Sequence, residues 1–399
     1  MALFNINELN NKIPPDRFSL FALGFRPFFL MAGLAAILLM GGWLLLLTPV
    51  TGFETYYGPA LWHGHEMVFG FAAAVIAGFL LTAARNWTNV ETLKGSALAG
   101  LVLLWLAGRL FALLPTLLPS WLIAVVDLAF IPLLAVALAM PILRTDKKPQ
   151  LIFVALLMLM FVANLLVHLV ILDIIAISAE LGVRLAVNAV LVIIVVMAGR
   201  VLPLFIERGA PGSQPRKWPW LEKAAPLSMV ALLLVELLQL DPRLIAVVAV
   251  VAAIVNGLRL WGWYSHRVWQ VPLLWVLVLG YGWLVLGFIM TAAAMLGLIV
   301  ESFALHAFAA AISVLSLGMM ARVALGHTGR LLQPARAMTW AFVLLNIAMF
   351  LRVFASLIFP AAVNVLIFFA GFLVSVAFVI FVAVYLPILS KARIDGRPG

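Results

Sequence analysis

The strongest constraint on this chain is a rhythm. Apolar runs of about 20 residues recur from one end to the other, beginning with Phe28 to Leu47. Each is long enough to cross a bilayer as a helix. Membrane barrels alternate apolar and polar residues with period two, whereas these runs are apolar all round. Of the 399 residues, 66% are hydrophobic and 10% charged, where a soluble domain is about a quarter charged. The expected fold class is all-α, a polytopic membrane helical bundle.

Twelve helices are expected, at about 24–47, 62–84, 96–114, 121–140, 151–173, 183–205, 224–240, 243–262, 272–296, 301–322, 336–358 and 361–389. The loops are short and punctuated by Pro, Gly and charge, as in "RTDKKPQ" (144–150) and "GHTGRLLQPAR" (326–336). The polar residues 1–19 are not a cleavable signal, and the first apolar run is longer than a signal core. One transmembrane domain (24–389) is expected between an N-terminal segment (1–23) and a tail (390–399). With the N-terminus in the cytoplasm, all 25 Lys and Arg except Arg109, Arg184, Arg243 and Arg352 fall in cytoplasmic segments or at their helix ends; Lys12, Arg26, Arg330 and Arg393 are examples. That bias places both termini in the cytoplasm. It also accounts for the net charge of +10 without nucleic acid, because inner-leaflet headgroups supply the anionic partner.

Polar residues within these spans gather at one depth. His63, His65 and Glu66 open the second helix in "LWHGHEMVFGF". Arg109, Asp127, Asn164, His168, Asn188, Glu236, His306 and Arg352 lie near the same end of their helices. At ~1.5 Å per residue most sit roughly 5–12 Å below the outer surface. A charge in a span costs about 2.5–3.5 kcal/mol and normally faces the bundle interior. Snorkelling to interfacial water would explain an arginine alone, but histidine and aspartate snorkel poorly. Several such groups at one depth imply a shared polar site.

The absence of cysteine removes disulfides, thiolate ligands and covalent haem attachment, and leaves six histidines as the obvious transition-metal ligands. A haem b in a helical bundle takes two axial histidines from two helices at similar depth. His63 or His65, His168 and His306 meet that condition. His63 and His65 point about 200° apart on a regular helix, so they cannot share one metal, whereas Glu66 shares the face of His63. Glu66 could orient that imidazole or carry protons; Asp127 is a further candidate for such a role. Arg109 and Arg352 suit haem propionates, or pair with Asp127, Glu66 or Glu236. His327 lies at the inner side, just beyond the tenth helix, between Gly326 and Gly329. His266 reads as an ordinary loop residue.

"GRLFALL" (108–114) and "LRVFASL" (351–357) suggest parallel internal repeats, with helices two–three equivalent to ten–eleven. On that reading His65 and His306 form a facing ligand pair. A twelve-helix transporter is the main alternative, with the polar layer as its substrate site. The turn "RNWTNVETLKG" lacks the Gly/Asp/Arg pattern of major-facilitator proteins. Haem–copper oxidases need adjacent histidines, and no His-His pair exists here.

"FRPFFLMAG" (25–33), "WHGHEMVFGFAAAVIAGFLLTA" (62–83), "NWTN" (86–89), "GRVLPLF" (199–205), "PLLWVLVLGY" (272–281) and "RVALGHTGR" (322–330), in this order, resemble the NnrS family. The resemblance implies a bacterial inner-membrane protein of nitric oxide metabolism and nitrosative-stress resistance, containing haem and copper. An electron donor would be needed for nitric oxide reduction, and no module for one is evident. In the family, "PLLWVLVLGY" usually carries histidine where this chain has Val278. An inner haem using that position and His327 would have lost a ligand.

Overall fold

The structure is a computed structural model that describes residues 14–48 and 54–397. The expectation for Lys12 lies outside them, as do residues 1–13 of the N-terminal segment and 398–399 of the tail. Twelve helical segments, counted among the described residues, follow the apolar runs one for one. They are α1 (Phe25–Leu46), α2 (Pro59–Thr88), α3 (Gly95–Phe111), α4 (Ser120–Leu143), α5 (Lys148–Ile171), α6 (Ala179–Gly209), α7 (Pro219–Leu237), α8 (Pro242–Trp263), α9 (Pro272–Met295), α10 (Glu301–His327), α11 (Arg336–Ile358) and α12 (Pro360–Ser390). Ten are long and apolar enough to span a membrane. The remaining two are α3, with 17 residues, and α7, which carries Glu222, Lys223 and Glu236.

Local chemistry sets the ends. Helices α2, α7, α8 and α9 begin on proline, which lacks only a donor that a helix start leaves unused. Several helices outrun their apolar stretch, because an α-helix satisfies its own backbone in either solvent. Thus α10 continues to its last residue, His327. That corrects the expectation that His327 lies beyond the helix; the chain turns after it, at Gly329 (φ 75°).

Helices α2 and α10 form the centre. Of their apolar windows 83% and 78% are buried, against 39% in α1 and 33% in α12. Close packing relies on small residues, as is usual between membrane helices. Gly280 and Gly287 of α9 and Gly318 of α10 let these neighbours approach; a Cβ at Gly280 would lie 2.7 Å from Leu315 Cγ. The chain ends meet at one face: Ser19 N–H donates to Ser390 O (2.7 Å) and Ala392 N–H to Arg17 O (2.9 Å). From that face α1 runs to the opposite end, where Trp43 stacks on His63 (4.3 Å). The polar layer therefore lies at the end away from the termini.

Gly280→Ala is expected to destabilise the protein by about 1–3 kcal/mol through overpacking. Gly282→Ala, with no other atom within 4 Å of the added methyl, is expected to be neutral. Thermal unfolding in detergent compares the two.

Candidate metal centre

The polar layer resolves into separate clusters, and Asp127 of α4 is the hub of the largest. Its Oδ2 receives Asn164 Nδ2 at 2.8 Å, His168 Nε2 at 3.0 Å and the Tyr57 hydroxyl at 3.4 Å. His65 Nε2 lies 3.4 Å from the same oxygen. Its Oδ1 is paired with the Arg109 guanidinium from α3. The second guanidinium arm reaches Glu66 Oε2 at 3.3 Å. His65, Glu66, Asp127, Asn164 and His168 are all 0–3% exposed, and Arg109 is 8% exposed. Snorkelling is thereby excluded for Arg109. Its contacts with two carboxylates also replace the expected propionate role, since its charge is already engaged.

Helix α2 reaches this arrangement through a change of pitch. Residues Glu66–Ala72 form a π-helical turn directly after His65, a feature common at functional sites. Glu66 does not orient His63 as expected; its Oε1 meets His65 Nδ1 at 3.2 Å. Two glycines make the approach possible. A Cβ at Gly70 would lie 2.9 Å from Glu66 Oε2, and one at Gly108 would lie 2.9 Å from Asp127 Oδ1.

Hydrogen-bond logic constrains the protons. Asn164 donates its amide N–H to Asp127, so its carbonyl oxygen faces His65 Nε2, 2.8 Å away. His65 therefore meets an acceptor at each nitrogen, Glu66 at one and Asn164 at the other. A neutral imidazole donates only once. The ring therefore donates either to Glu66 through Nδ1 or to Asn164 through Nε2, and either tautomer leaves the other nitrogen with its lone pair.

His65, Asp127 and His168 each offer a ligand atom, and these atoms lie within 4.8 Å of one another. It is the only such group of three found among the described residues. Two imidazoles and one carboxylate form a donor set suited to a first-row transition metal.

A second cluster lies beside the first. His63 stacks on Trp43 and lies within electrostatic reach of His306 and Arg352. His306 Nδ1–H donates to Ser302 O at 2.6 Å. Arg352 Nη2 sits 3.1 Å from that same nitrogen, whose lone donor is already used. All three residues are half-buried. Arg352 also lies in a π-helical turn, Leu351–Ala355. A third group joins Asn188 Nδ2 to Glu236 Oε2 at 2.7 Å.

Residues 19–393 match the family described as NnrS protein. The chain belongs to the NnrS family. No curated protein matches it. In this NnrS-family chain the expected pairing of His65 with His306 is not what forms: His65 faces His168, and His63 faces His306. The suggested repeat also lacks a common local geometry, since α2 carries a π turn and α10 is regular throughout. The 200° separation of His63 and His65 does agree with the structure, because they enter different clusters.

His327 stands apart at the terminal face, with its ring 5.6 Å from that of Phe25. Val278 is buried on α9. Sequence reasoning missed Tyr56 and Tyr57. The Tyr57 ring stacks on His65 at 4.0 Å, and the Tyr56 hydroxyl lies 3.3 Å from His168 Nδ1. The one available signal was "TYYGP", two phenols immediately before the His-x-His helix.

Arg109→Met would strand two buried carboxylates. It is expected to cost about 3–5 kcal/mol in unfolding experiments. Arg184→Met, which breaks a half-exposed pair with Glu301, is expected to cost less than about 1 kcal/mol.

Proposed function

We propose that this NnrS-family protein binds a transition-metal ion at His65, Asp127 and His168 and handles nitric oxide there. The observation that carries this reading is the convergence of two imidazole nitrogens and a carboxylate oxygen in one buried place. Such a donor set suits ferrous iron, and ferrous iron takes nitric oxide as a ligand. Copper is the competing ion. Asp127 and the two imidazoles would hold the ion. Arg109 would hold Asp127 and Glu66 with its two arms, and Tyr57 would fix the His65 ring by stacking. Glu66, beside His65 Nδ1, would carry protons to the centre. Sequestration needs no more than the bound ion; reduction would also draw on those protons and on an electron donor.

The fit of haem b differs between the two clusters. His65 and His168 would not hold the group between them, because both Nε2 atoms converge on one Asp127 oxygen. His63 and His306 would suit it better. They come from separate helices, and the Ser302 bond fixes the His306 ring while leaving Nε2 free. His63 Nδ1 is buried without a hydrogen-bond partner, and Arg352 is placed to meet a propionate. When bound there, haem would supply one-electron transfer. His327 is the weakest of the proposed ligands, because cationic side chains surround it.

An apolar cavity of about 90 Å³ lies between α2, α6 and α10, lined by Ala72, Ile76, Val190, Ile193 and Ile312 among others. Ala72 ends the π turn that Glu66 begins, so a small apolar gas dissolved there is near the centre. The transporter reading gains less support: the acids and histidines of the main cluster bond to one another rather than line an open path. We further place the protein in the bacterial inner membrane as one domain of twelve spans (24–389). On the charge bias, its termini (1–23 and 390–399) face the cytoplasm and the polar layer lies in the outer half.

Metal analysis and an optical spectrum test this on protein expressed with ample iron and haem. Asp127→Asn and His168→Ala are expected to lower metal affinity at least about tenfold while keeping a Soret band. His306→Ala is expected to lose the Soret band and keep the metal. Full metal retention in Asp127→Asn contradicts the triad. Loss of the Soret band in His168→Ala but not in His306→Ala places haem at the triad instead.

A further inference from the structure

The terminal face carries a second buried charge problem, of opposite sign to the first. Arg26, in the first turn of α1, is 0% exposed. Its Nη1 donates to carbonyls at the end of α12, Leu389 O at 3.0 Å and Lys391 O at 2.5 Å. That arm satisfies acceptors that a helix end leaves open and sits at the negative pole of the helix dipole. The other two nitrogens, Nε and Nη2, are buried without a hydrogen-bond partner. So is Nη1 of Arg330, just past the end of α10.

The surrounding charges do not compensate. The charges of Arg330 and Arg393 act on Arg26, and those of Arg26, Arg85 and Arg393 act on the His327 ring. Three described acids are near. Asp395 accepts from Arg393 Nε at 2.9 Å and Nη2 at 2.6 Å. Arg393 holds that carboxyl down at about 2, so the pair is neutral and closed. Asp16 pairs with Lys391 at 3.4 Å. Glu91, on which the charge of Arg85 acts, pairs with Lys94 at 2.5 Å. Among the described residues, Arg26, Arg85 and Arg330 form no ion pair with an acid. A buried guanidinium with two unmade hydrogen bonds is expensive, since charged groups lose most when desolvated. Three cations around unfilled donors describe an anion site rather than a metal site.

We infer that the pocket formed by Arg26, Arg85, Arg330 and the "GHTGR" segment (326–330) binds a phosphate oxyanion. Its level, at the ends of α1, α10 and α12, suits an anionic phospholipid headgroup, and a free phosphate offers the same oxygens. Two or three charge-assisted bonds would satisfy Arg26 and Arg330 together. The segment containing His327 thereby gains a role that needs no ligation.

The test uses the full-length protein, delipidated in detergent and followed by thermal unfolding. The probes are inorganic phosphate, phosphatidylglycerol micelles and phosphatidylcholine micelles. Arg26→Gln also removes the cap of α12 and can fail for that reason. Arg330→Gln and Arg85→Gln avoid this, and the exposed Arg144→Gln is the control. Phosphatidylglycerol is expected to raise the unfolding temperature of the wild type and Arg144→Gln. Its apparent affinity should be about tenfold weaker in Arg330→Gln. Stabilisation by inorganic phosphate as well, lost in the same variant, identifies a free-phosphate site; stabilisation by phosphatidylglycerol alone identifies a headgroup site. Equal stabilisation by phosphatidylcholine, or an unchanged response in both Arg330→Gln and Arg85→Gln, overturns the inference.

Discussion

A carboxylate in the core of a membrane protein cannot stand alone. Removing an ion from water costs several kcal/mol even after relaxation, and Asp127 is almost wholly buried. Much else at this end of the bundle answers that constraint. Arg109 takes one oxygen and reaches Glu66 with its other arm. Asn164, His168 and Tyr57 converge on the second oxygen. Gly108 gives up its side chain so that Asp127 can come close. Five elements, α2 to α5 and the loop before α2, are thereby tied at one point. Asp127 is the fully engaged member, while Glu66 Oε2 and Arg109 Nε and Nη1 are buried without a hydrogen-bond partner.

The bundle carries opposite electrostatic tasks at its two ends. At the histidine end two acids share one arginine, and a metal ion is the natural further counter-charge. At the terminal face, among the described residues, Arg26, Arg85 and Arg330 form no ion pair with an acid, and an anion is their natural partner. The difference follows from composition at each level: the first cluster draws on Glu66 and Asp127, while the described acids near the second, Asp395, Asp16 and Glu91, are already paired.

Much of this was legible in the sequence. The spans were, because an apolar run of 20 residues has one stable form in lipid. The common depth of the polar groups was, because helix rise converts position to height. The separation of His63 from His65 was, because azimuth follows from spacing. What was not legible is lateral arrangement. Height says nothing of which helix stands beside which, so His65 was matched with His306 rather than His168. Arg109 was offered to a propionate when two carboxylates already surround it. Tyr56 and Tyr57 escaped notice because loop residues have no periodicity to reveal their direction. The π turn is equally silent, since no residue type announces an i→i+5 bond. The interior charge deficit of Arg26 depends on contacts with a segment more than 360 residues away, beyond any local pattern.

The central claim is that His65, Asp127 and His168 together hold one metal ion. Calorimetric titration of the protein with ferrous iron measures this directly. The account predicts one ion per chain, with an affinity at least about tenfold lower in His65→Ala and unchanged in His63→Ala. Equal affinity in the wild type and His65→Ala, or loss of binding only in His63→Ala, would contradict it.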